Sequence, residues 1–149
     1  MELIQSQAAT LGLSVATVSV AAPPDLDTAF AEIARQRPGA LFVLTDNSLL
    51  ALSDTIVARA LSQRLPAFAV LTGSNFAEAG GLLSYSRDPA EAYQAVARFL
   101  KRILGGANPA DLPIEQPTKF KLFINLKTAR TLGITIPSSL LVRAGEVIE

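Results

Sequence analysis

Four short polar clusters in this sequence hold side chains that could bind a small molecule. Asp46 and Asn47 can together grip an ammonium or amide group, and Tyr85 offers both a ring face and a hydroxyl. Asp, Asn, Ser and Gly also cap helices and form turns, so turn chemistry is an equally good interpretation of Asp46 and Asn47, and helix capping is the better one for Asp25. Each cluster follows or ends a predicted strand, and the four are 22–25, 45–48, 72–75 and 84–86.

Alternating strand and helix patterns position these clusters. Runs of β-branched or apolar residues predict strands at 14–21, 40–45, 67–71, 82–86 and 119–125. Amphipathic spacing predicts helices at 2–11, 27–36, 48–63, 75–79, 89–104 and 126–132. This alternation predicts an α/β fold of three layers, a parallel sheet with helices on both faces. Ligands bind such a sheet at the carboxyl ends of its strands, and the candidate ligand-binding residues there are Asp46, Asn47, Thr72, Gly73, Ser74, Asn75 and Tyr85.

The composition excludes several classes of protein. A length of 149 residues fits one domain, 1–149. Basic and acidic residues are equal at 13 each, without the basic excess that a nucleic-acid-binding protein would show. Cysteine and histidine are both absent, which removes disulfides, a thiolate nucleophile, a histidine base and the usual transition-metal sites. No nucleotide-binding glycine loop or serine elbow is present. We therefore expect no enzyme activity, no catalytic residue, no cofactor and no metal.

A receiver-like or flavodoxin-like signalling domain is the alternative function. Asp46 could stand for the phosphoacceptor aspartate, with Thr72 in the matching place one strand later. Such a domain also needs acidic residues after its first strand to hold magnesium, and a lysine after its last. The predicted strand 14–21 is followed by Ala22 and two prolines, and 82–86 by Arg87. Most of that pattern is therefore missing.

The C-terminal region of the chain closely resembles a known family. "LPIEQPTKF" at 112–120, followed by "INLKTA", "LG" and "IP", is similar to the C-terminus of ABC-transporter substrate-binding proteins of the tryptophan/tyrosine-binding-lipoprotein type. "ALFVLTDNS" at 40–48 resembles the family's strand and TDN turn, and 77–113 resembles its strand, polar turn and helix. The resemblance covers essentially the whole chain, but only the C-terminal half or so of a family member.

The resemblance implies one lobe of a type I periplasmic binding protein, in which two α/β lobes close on a ligand. It implies that 1–86 is the core of the C-terminal lobe. The segment 87–109 would then hold a helix that packs on the missing N-terminal lobe. The segment 110–149 would hold a strand that returns to the sheet, and the C-terminal helices. Where the family often has a glycine after the tyrosine, this chain has Ser86.

The resemblance also implies a function. It predicts the solute-binding component of an ABC importer, which passes a small molecule such as an aromatic or branched amino acid to an ABC permease. Asp46 and Asn47 would hold the polar end of the ligand, 72–75 would line the cleft floor, and Tyr85 would flank the ligand. The longer protein would be periplasmic or otherwise extracytoplasmic and lipid-anchored, with its signal sequence outside this chain. The apolar face of helix 89–104, left without its lobe, predicts a homodimer.

Overall fold

Helices and short strands alternate in the second part of the chain, from Leu41 onwards, as the sequence predicts. The computed structural model describes residues 2–44, 47–70 and 73–149. The chain divides into two compact units, Met1–Arg37 and Pro38–Glu149. The first unit contains two helices and the second contains the sheet.

The first unit contains helix α1 (Glu2–Thr10), helix α2 (Asp25–Gln36) and the segment between them. The carboxylate of Asp25 accepts the backbone N–H of Ala21 at 3.0 Å and that of Ala22 at 2.9 Å. Asp25 is thus the first residue of its helix, and its side chain fastens the preceding turn. The prediction that Asp25 caps the helix is wrong in this detail.

The predicted strand at 14–21 is wrong. Residues 13–20 form no strand, and the five strands of the sheet all lie in the second unit. β-branched residues fit a pleated surface only where a neighbouring strand supplies hydrogen bonds and side-chain packing. High β-propensity at 14–20 therefore did not suffice to make a strand.

The second unit is built on a mixed sheet of five strands in the order β1-β2-β3-β4-β5. Their bounds are β1 Leu41–Val43, β2 Ala67–Val70, β3 Leu83–Arg87, β4 Phe120–Asn125 and β5 Glu146–Ile148. The connecting helices are α3 Asn47–Ala51, α4 Ser53–Ser62, α5 Asn75–Glu78, α6 Pro89–Leu104, α7 Leu126–Leu132 and α8 Ser138–Arg143, with a 3₁₀ turn at Pro109–Asp111.

The predicted α/β class is confirmed, with two changes in the sheet. β1, β2 and β3 are parallel, but β4 pairs antiparallel with β3, so the sheet is not wholly parallel. The expected return of the strand at 119–125 to the sheet is confirmed. β5, which pairs parallel with β4, was not predicted. The single predicted helix at 48–63 is divided into α3 and α4 at Leu52.

Helices α4 and α5 cover one face of the sheet. They lie in the connections between successive parallel strands, and right-handed crossovers place both on the same side. α5 contacts β2, β3 and β4, and it also contacts α4. Gly81 permits this close packing, because a Cβ there would lie 2.3 Å from Cδ1 of Phe76. Phe76 is only 1% exposed, so its ring has no room to move away.

Buried polar side chains fasten the same face. Asn125, at the end of β4, donates from Nδ2 to the carbonyl oxygen of Ala77 at 2.7 Å. Its Oδ1 accepts the backbone N–H of Thr128 at 2.8 Å, which caps α7. The hydroxyl of Thr128 donates to the carbonyl oxygen of Gly80 at 2.8 Å. These bonds fix the end of α5 and the start of α7 against the end of β4.

Helix α6 has a different environment. It has 16 residues, and none of those whose burial the structure describes is buried. Tyr93, Val96 and Leu100 are more than half exposed, although their spacing puts them on one helical face. Most helical stability in proteins comes from packing such an apolar face. The face of α6 is therefore one that a partner surface would stabilise.

Candidate ligand-binding site

The carboxyl ends of β1, β2 and β3 lie at one edge of the sheet, because these strands are parallel. In open α/β sheets this edge is where ligands bind. Asp46 and Thr72 lie outside the described residues, and of Asn47 only the backbone is described, as the first residue of α3. The remaining predicted site residues are all described, and they are Gly73, Ser74, Asn75 and Tyr85.

Gly73, Ser74 and Asn75 connect β2 to α5. Gly73 has a φ of 62°, in the left-handed region where glycine carries no steric penalty. The hydroxyl of Ser84 in β3 donates to the carbonyl oxygen of Gly73 at 2.5 Å, which fixes this turn to the sheet. Ser74 occupies the position before α5, but its side chain makes no capping hydrogen bond. Helix capping therefore does not account for this hydroxyl.

Tyr85 lies in β3, opposite Val70 of β2 and Leu122 of β4. Its ring stacks on that of Phe120, with ring centroids 5.4 Å apart and ring planes 13° from parallel. The two residues are 49% and 45% exposed, respectively. Ser84, on the opposite face of the same strand, is fully buried. Tyr85 and Phe120 thus form a half-exposed aromatic pair near the carboxyl end of β3.

The carboxylate of Glu91, in the first turn of α6, holds the segment that enters β4. One oxygen accepts the hydroxyl of Thr118 at 2.8 Å. The other accepts the backbone N–H of Thr118 at 3.2 Å and that of Lys119 at 2.9 Å. The Lys119 N–H and the Thr118 hydroxyl favour the charged form and hold the pKa of Glu91 below its ordinary value. The start of α6 and the start of β4 are therefore fastened together.

Asp88 adds a second fastening beside the first. Its side chain accepts the N–H of Ala90 at 3.0 Å and caps α6, while its own N–H donates to the carbonyl oxygen of Lys119 at 2.9 Å. The ammonium of Lys121 lies 3.3 Å from its carboxylate. The Ala90 N–H is the largest cause that holds the pKa of Asp88 below its ordinary value. Desolvation opposes it, and Lys121 lowers the pKa further.

Sequence reasoning missed Phe120 and Glu91 as members of this edge. Phe120 was assigned only to a returning strand, and its place beside Tyr85 depends on the antiparallel register of β3 and β4. Alternation along "FKLFIN" shows which residues share a face, but not which strand lies next to them. Glu91 carried no signal beyond its place in the first turn of a helix.

The described groups at this edge are suited to binding. They offer an aromatic surface, a hydroxyl and the polar turn 73–75. Across 2–44, 47–70 and 73–149, no cluster of three or more acidic residues is placed to hold a metal ion. No helix in those ranges is both long and apolar enough to cross a membrane.

Comparison with protein families gives one match over almost the whole chain. The family model described as ABC transporter substrate binding protein matches residues 1–148. This is a family of binding proteins, not of enzymes. No individual curated protein matches the chain significantly.

Three solved structures are also similar to this chain over almost its whole length. One is the ABC domain in complex with L-Trp from Streptococcus pneumonia, with 31% identity and a TM-score of 0.85 over 99% of this chain. A conserved domain protein from Vibrio cholerae O1 biovar El Tor has 26% identity and a TM-score of 0.84 over 99%. A ligand-free, open substrate-binding protein with adhesive properties from Clostridium difficile shares the fold, with 18% identity and a TM-score of 0.71 over 99%.

The chain spans about half the length of these structures, since it covers 49%, 49% and 48% of them, respectively.

Proposed function

Because the chain belongs to the family of ABC transporter substrate-binding proteins, we propose that it is one lobe of a protein that binds a small solute and passes it to an ABC permease. The observation that carries the proposal is the family match over residues 1–148, joined to a sheet edge that presents a half-exposed aromatic pair and a polar turn. A cleft formed by two lobes would bury such an edge around a ligand.

The proposed ligand is a small molecule such as an amino acid with an aromatic or branched side chain. A similar structure, 31% identical, is described in complex with L-Trp. In our proposal Asp46 and Asn47 hold the polar end of the ligand, and 72–75 line the cleft floor. Tyr85 flanks the ligand with its exposed ring. Half of the pocket comes from the other lobe, so the full-length protein is the binding unit.

We assign three segments of the chain to the two-lobed protein. The segment 1–86 is the core of the C-terminal lobe. The segment 87–109 contains α6, whose exposed apolar face packs on the N-terminal lobe. The segment 110–149 returns to the sheet as β4 and continues into the C-terminal helices. The absence of buried residues among those described in α6 supports its assignment as a contact with the other lobe.

The proposed place of action is outside the cytoplasmic membrane, where ABC importers receive their solutes. A lipid anchor at the N-terminus of the full-length protein would keep it close to its permease. Radiolabelled palmitate fed to cells expressing the full-length protein tests the anchor separately. We expect label on the protein, and its absence would contradict the anchor but not the binding role.

A thermal-shift screen of the full-length protein against amino acids and small carboxylates tests the binding role. A ligand present at 100 times its Kd stabilises the folded state by about 2.7 kcal/mol, which gives a clear rise in Tm. We expect a rise with L-tryptophan, L-tyrosine or L-leucine, confirmed by calorimetric titration at one solute per protein. A full-length protein that shows neither a shift nor binding heat with any solute would contradict the proposal.

For the chain as a separate molecule we propose a homodimer through α6. The exposed apolar residues of this helix form a surface that a second copy can cover. Light scattering at micromolar concentration should give twice the monomer mass of 15.7 kDa. Leu100→Ser should shift the mass towards the monomer, whereas Leu11→Ser, at an exposed position after α1, should not. A monomer at all concentrations would contradict the dimer.

A further inference from the structure

We propose that Phe120 is a ligand-contact residue that selects solutes with a planar aromatic ring, and that Glu91 is its positioning residue. This inference rests on the proposed function, since it needs a bound solute. It adds two residues that the sequence did not indicate. It also specifies the chemistry of the site, namely an aromatic wall made of Tyr85 and Phe120 on which a ring can stack.

The first argument is the geometry of the pair. The rings of Tyr85 and Phe120 are within 13° of parallel, so each turns one face to the other ring and has its second face on the outside of the pair. Aromatic rings attract a further ring in an offset-stacked arrangement, with centroids 4.5–7 Å apart. The observed separation of 5.4 Å lies in that range. A planar solute could therefore extend the stack without changing it.

The second argument is the exposure of the pair compared with the other stacked pair of the sheet. Phe42 and Phe68 stack at 4.9 Å on β1 and β2, and both are partly buried. Tyr85 and Phe120 are about half exposed. The open stack is also the one near the carboxyl end of β3, where ligands bind in this kind of sheet. Exposed aromatic surface at a binding edge fits a site that a ligand completes.

The third argument is how Phe120 is held. It follows directly after Thr118 and Lys119, which give Glu91 three hydrogen bonds. Asp88 binds the same segment through the carbonyl oxygen of Lys119. An exposed ring is fixed poorly by packing, so these bonds supply the order that the ring itself lacks. Glu91 thereby sets the position of Phe120 without reaching the solute.

The test uses the full-length protein and three probes, L-tryptophan, L-tyrosine and L-leucine, measured by calorimetric titration. In Phe120→Leu we expect affinity for L-tryptophan to fall about tenfold, and that for L-leucine to change by less than about twofold. The ratio of the two affinities is the decisive quantity, because a purely structural role would lower both equally. The inference would be overturned if Phe120→Leu lost affinity for both probes equally or lost none. It would also be overturned if the wild type bound L-leucine alone.

The positioning role is tested by a matched pair of variants. Glu91→Ala removes all three hydrogen bonds and should lower the tryptophan-to-leucine ratio in the same direction as Phe120→Leu. Glu91→Gln keeps one acceptor oxygen for the backbone N–H groups and should restore most of the ratio. Glu115→Gln, in the same returning segment, is the control and should leave it unchanged. An unchanged ratio in Glu91→Ala would overturn the role of Glu91.

Failure of the proposed function is distinguishable from failure of this inference. A wild-type protein that binds none of the three probes, nor any other solute, contradicts both the proposed function and this inference. If the wild type binds L-tryptophan and Phe120→Leu leaves the tryptophan-to-leucine affinity ratio unchanged, only the aromatic wall is contradicted. A lowered Tm with unchanged binding in that variant would place the pair at a contact with the other lobe, which also overturns it.

Discussion

The β3–β4 pair and helix α6 are joined end to end in the chain, but they are stabilised in opposite ways. β3 and β4 pair over five residues, and Ile124 within that pairing is fully buried. The buried side chain of Asn125, at the end of β4, binds to α5 and α7. α6 has more than twice as many residues as either strand, yet none of its residues with described burial is buried. Length and regularity are thus poor guides to where the stability of this chain lies.

The difference indicates two kinds of surface. The five strands pair with one another within the second unit, so the sheet is a folding core. At the start of α6, Asp88 and Glu91 bind the segment that enters β4. Further along the helix, an exposed ion pair joins Arg98 to Glu115 of the loop before β4 at 2.7 Å. Several apolar side chains of its later turns, namely Val96, Leu100 and Leu104, are more than half exposed. Such a helix is suited to contact another body, as the proposed two-lobed protein would require.

The largest effect is expected when a residue of the β3–β4 pair and a residue of α6 are each replaced by alanine. Ile124→Ala removes a buried side chain and leaves a cavity, so the free energy of unfolding should fall by about 2–5 kcal/mol. Leu100→Ala, at a position that is 53% exposed, should change it by less than about 0.5 kcal/mol in the monomer. Urea unfolding at low protein concentration measures both. Similar losses in the two variants would show that α6 is packed in solution.

The next effect compares two asparagine caps. Asn125→Ala leaves the carbonyl of Ala77 and the N–H of Thr128 without their bonds in a buried place, which should cost about 2–4 kcal/mol. Asn108 caps the exposed 3₁₀ turn through the N–H of Ala110, and Asn108→Ala should cost about 0.5–1 kcal/mol at most. Thermal unfolding followed by circular dichroism gives the Tm of each variant and shows which loses more stability. If Asn108→Ala lowered the Tm more than Asn125→Ala did, the buried hydrogen bonds of Asn125 would not be the more stabilising ones.

The smallest effect concerns acid. The folded-state pKa of Glu91 is lowered, so its stabilising effect is complete above the ordinary carboxyl pKa and is lost as pH falls through the folded value. The Tm difference between the wild type and Glu91→Gln should be positive at pH 7 and shrink below about pH 4. Glu149→Gln makes the same change in charge at the chain end and is the control. A difference that does not vary with pH would exclude a role for the charge.

Much of this fold can be predicted from the sequence, and the failures have physical causes. The apolar runs at 40–45 and 67–71 predict strands, and they contain β1 (Leu41–Val43) and β2 (Ala67–Val70). The segment 14–20 had stronger β-branching and still gave none, because a strand exists only with a partner. The direction of β4 was also not predictable, since the loop before it allows return from either end of the sheet.

The position of the candidate site could be predicted only in part, because local sequence pattern does not show which strands pair. The sequence predicts that Tyr85 and Gly73–Asn75 lie at this edge, because they lie in or follow predicted strands, and the structure has them there. That they bind a ligand stays a prediction. Phe120 comes from a later region of the chain, and only the register of β3 with β4 brings it to the same edge. Glu91 follows β3 closely in the chain, but nothing in the sequence indicates that its carboxylate binds the segment before β4. Local pattern indicates which residues are near a strand end, whereas three-dimensional pairing decides which of them meet.

The hydrogen bonds of Glu91 also affect the rate at which the chain can fold. Glu91 and Thr118 are 27 residues apart, so β4 can pair with β3 only after that length of chain has closed into a loop. Closure becomes slowly less probable as a flexible loop lengthens. When α6 forms first, its 16 residues become a rod of about 24 Å, and far fewer conformations remain to be searched. We therefore expect helix-forming residues in α6 to speed folding even though its exposed face adds little to final stability.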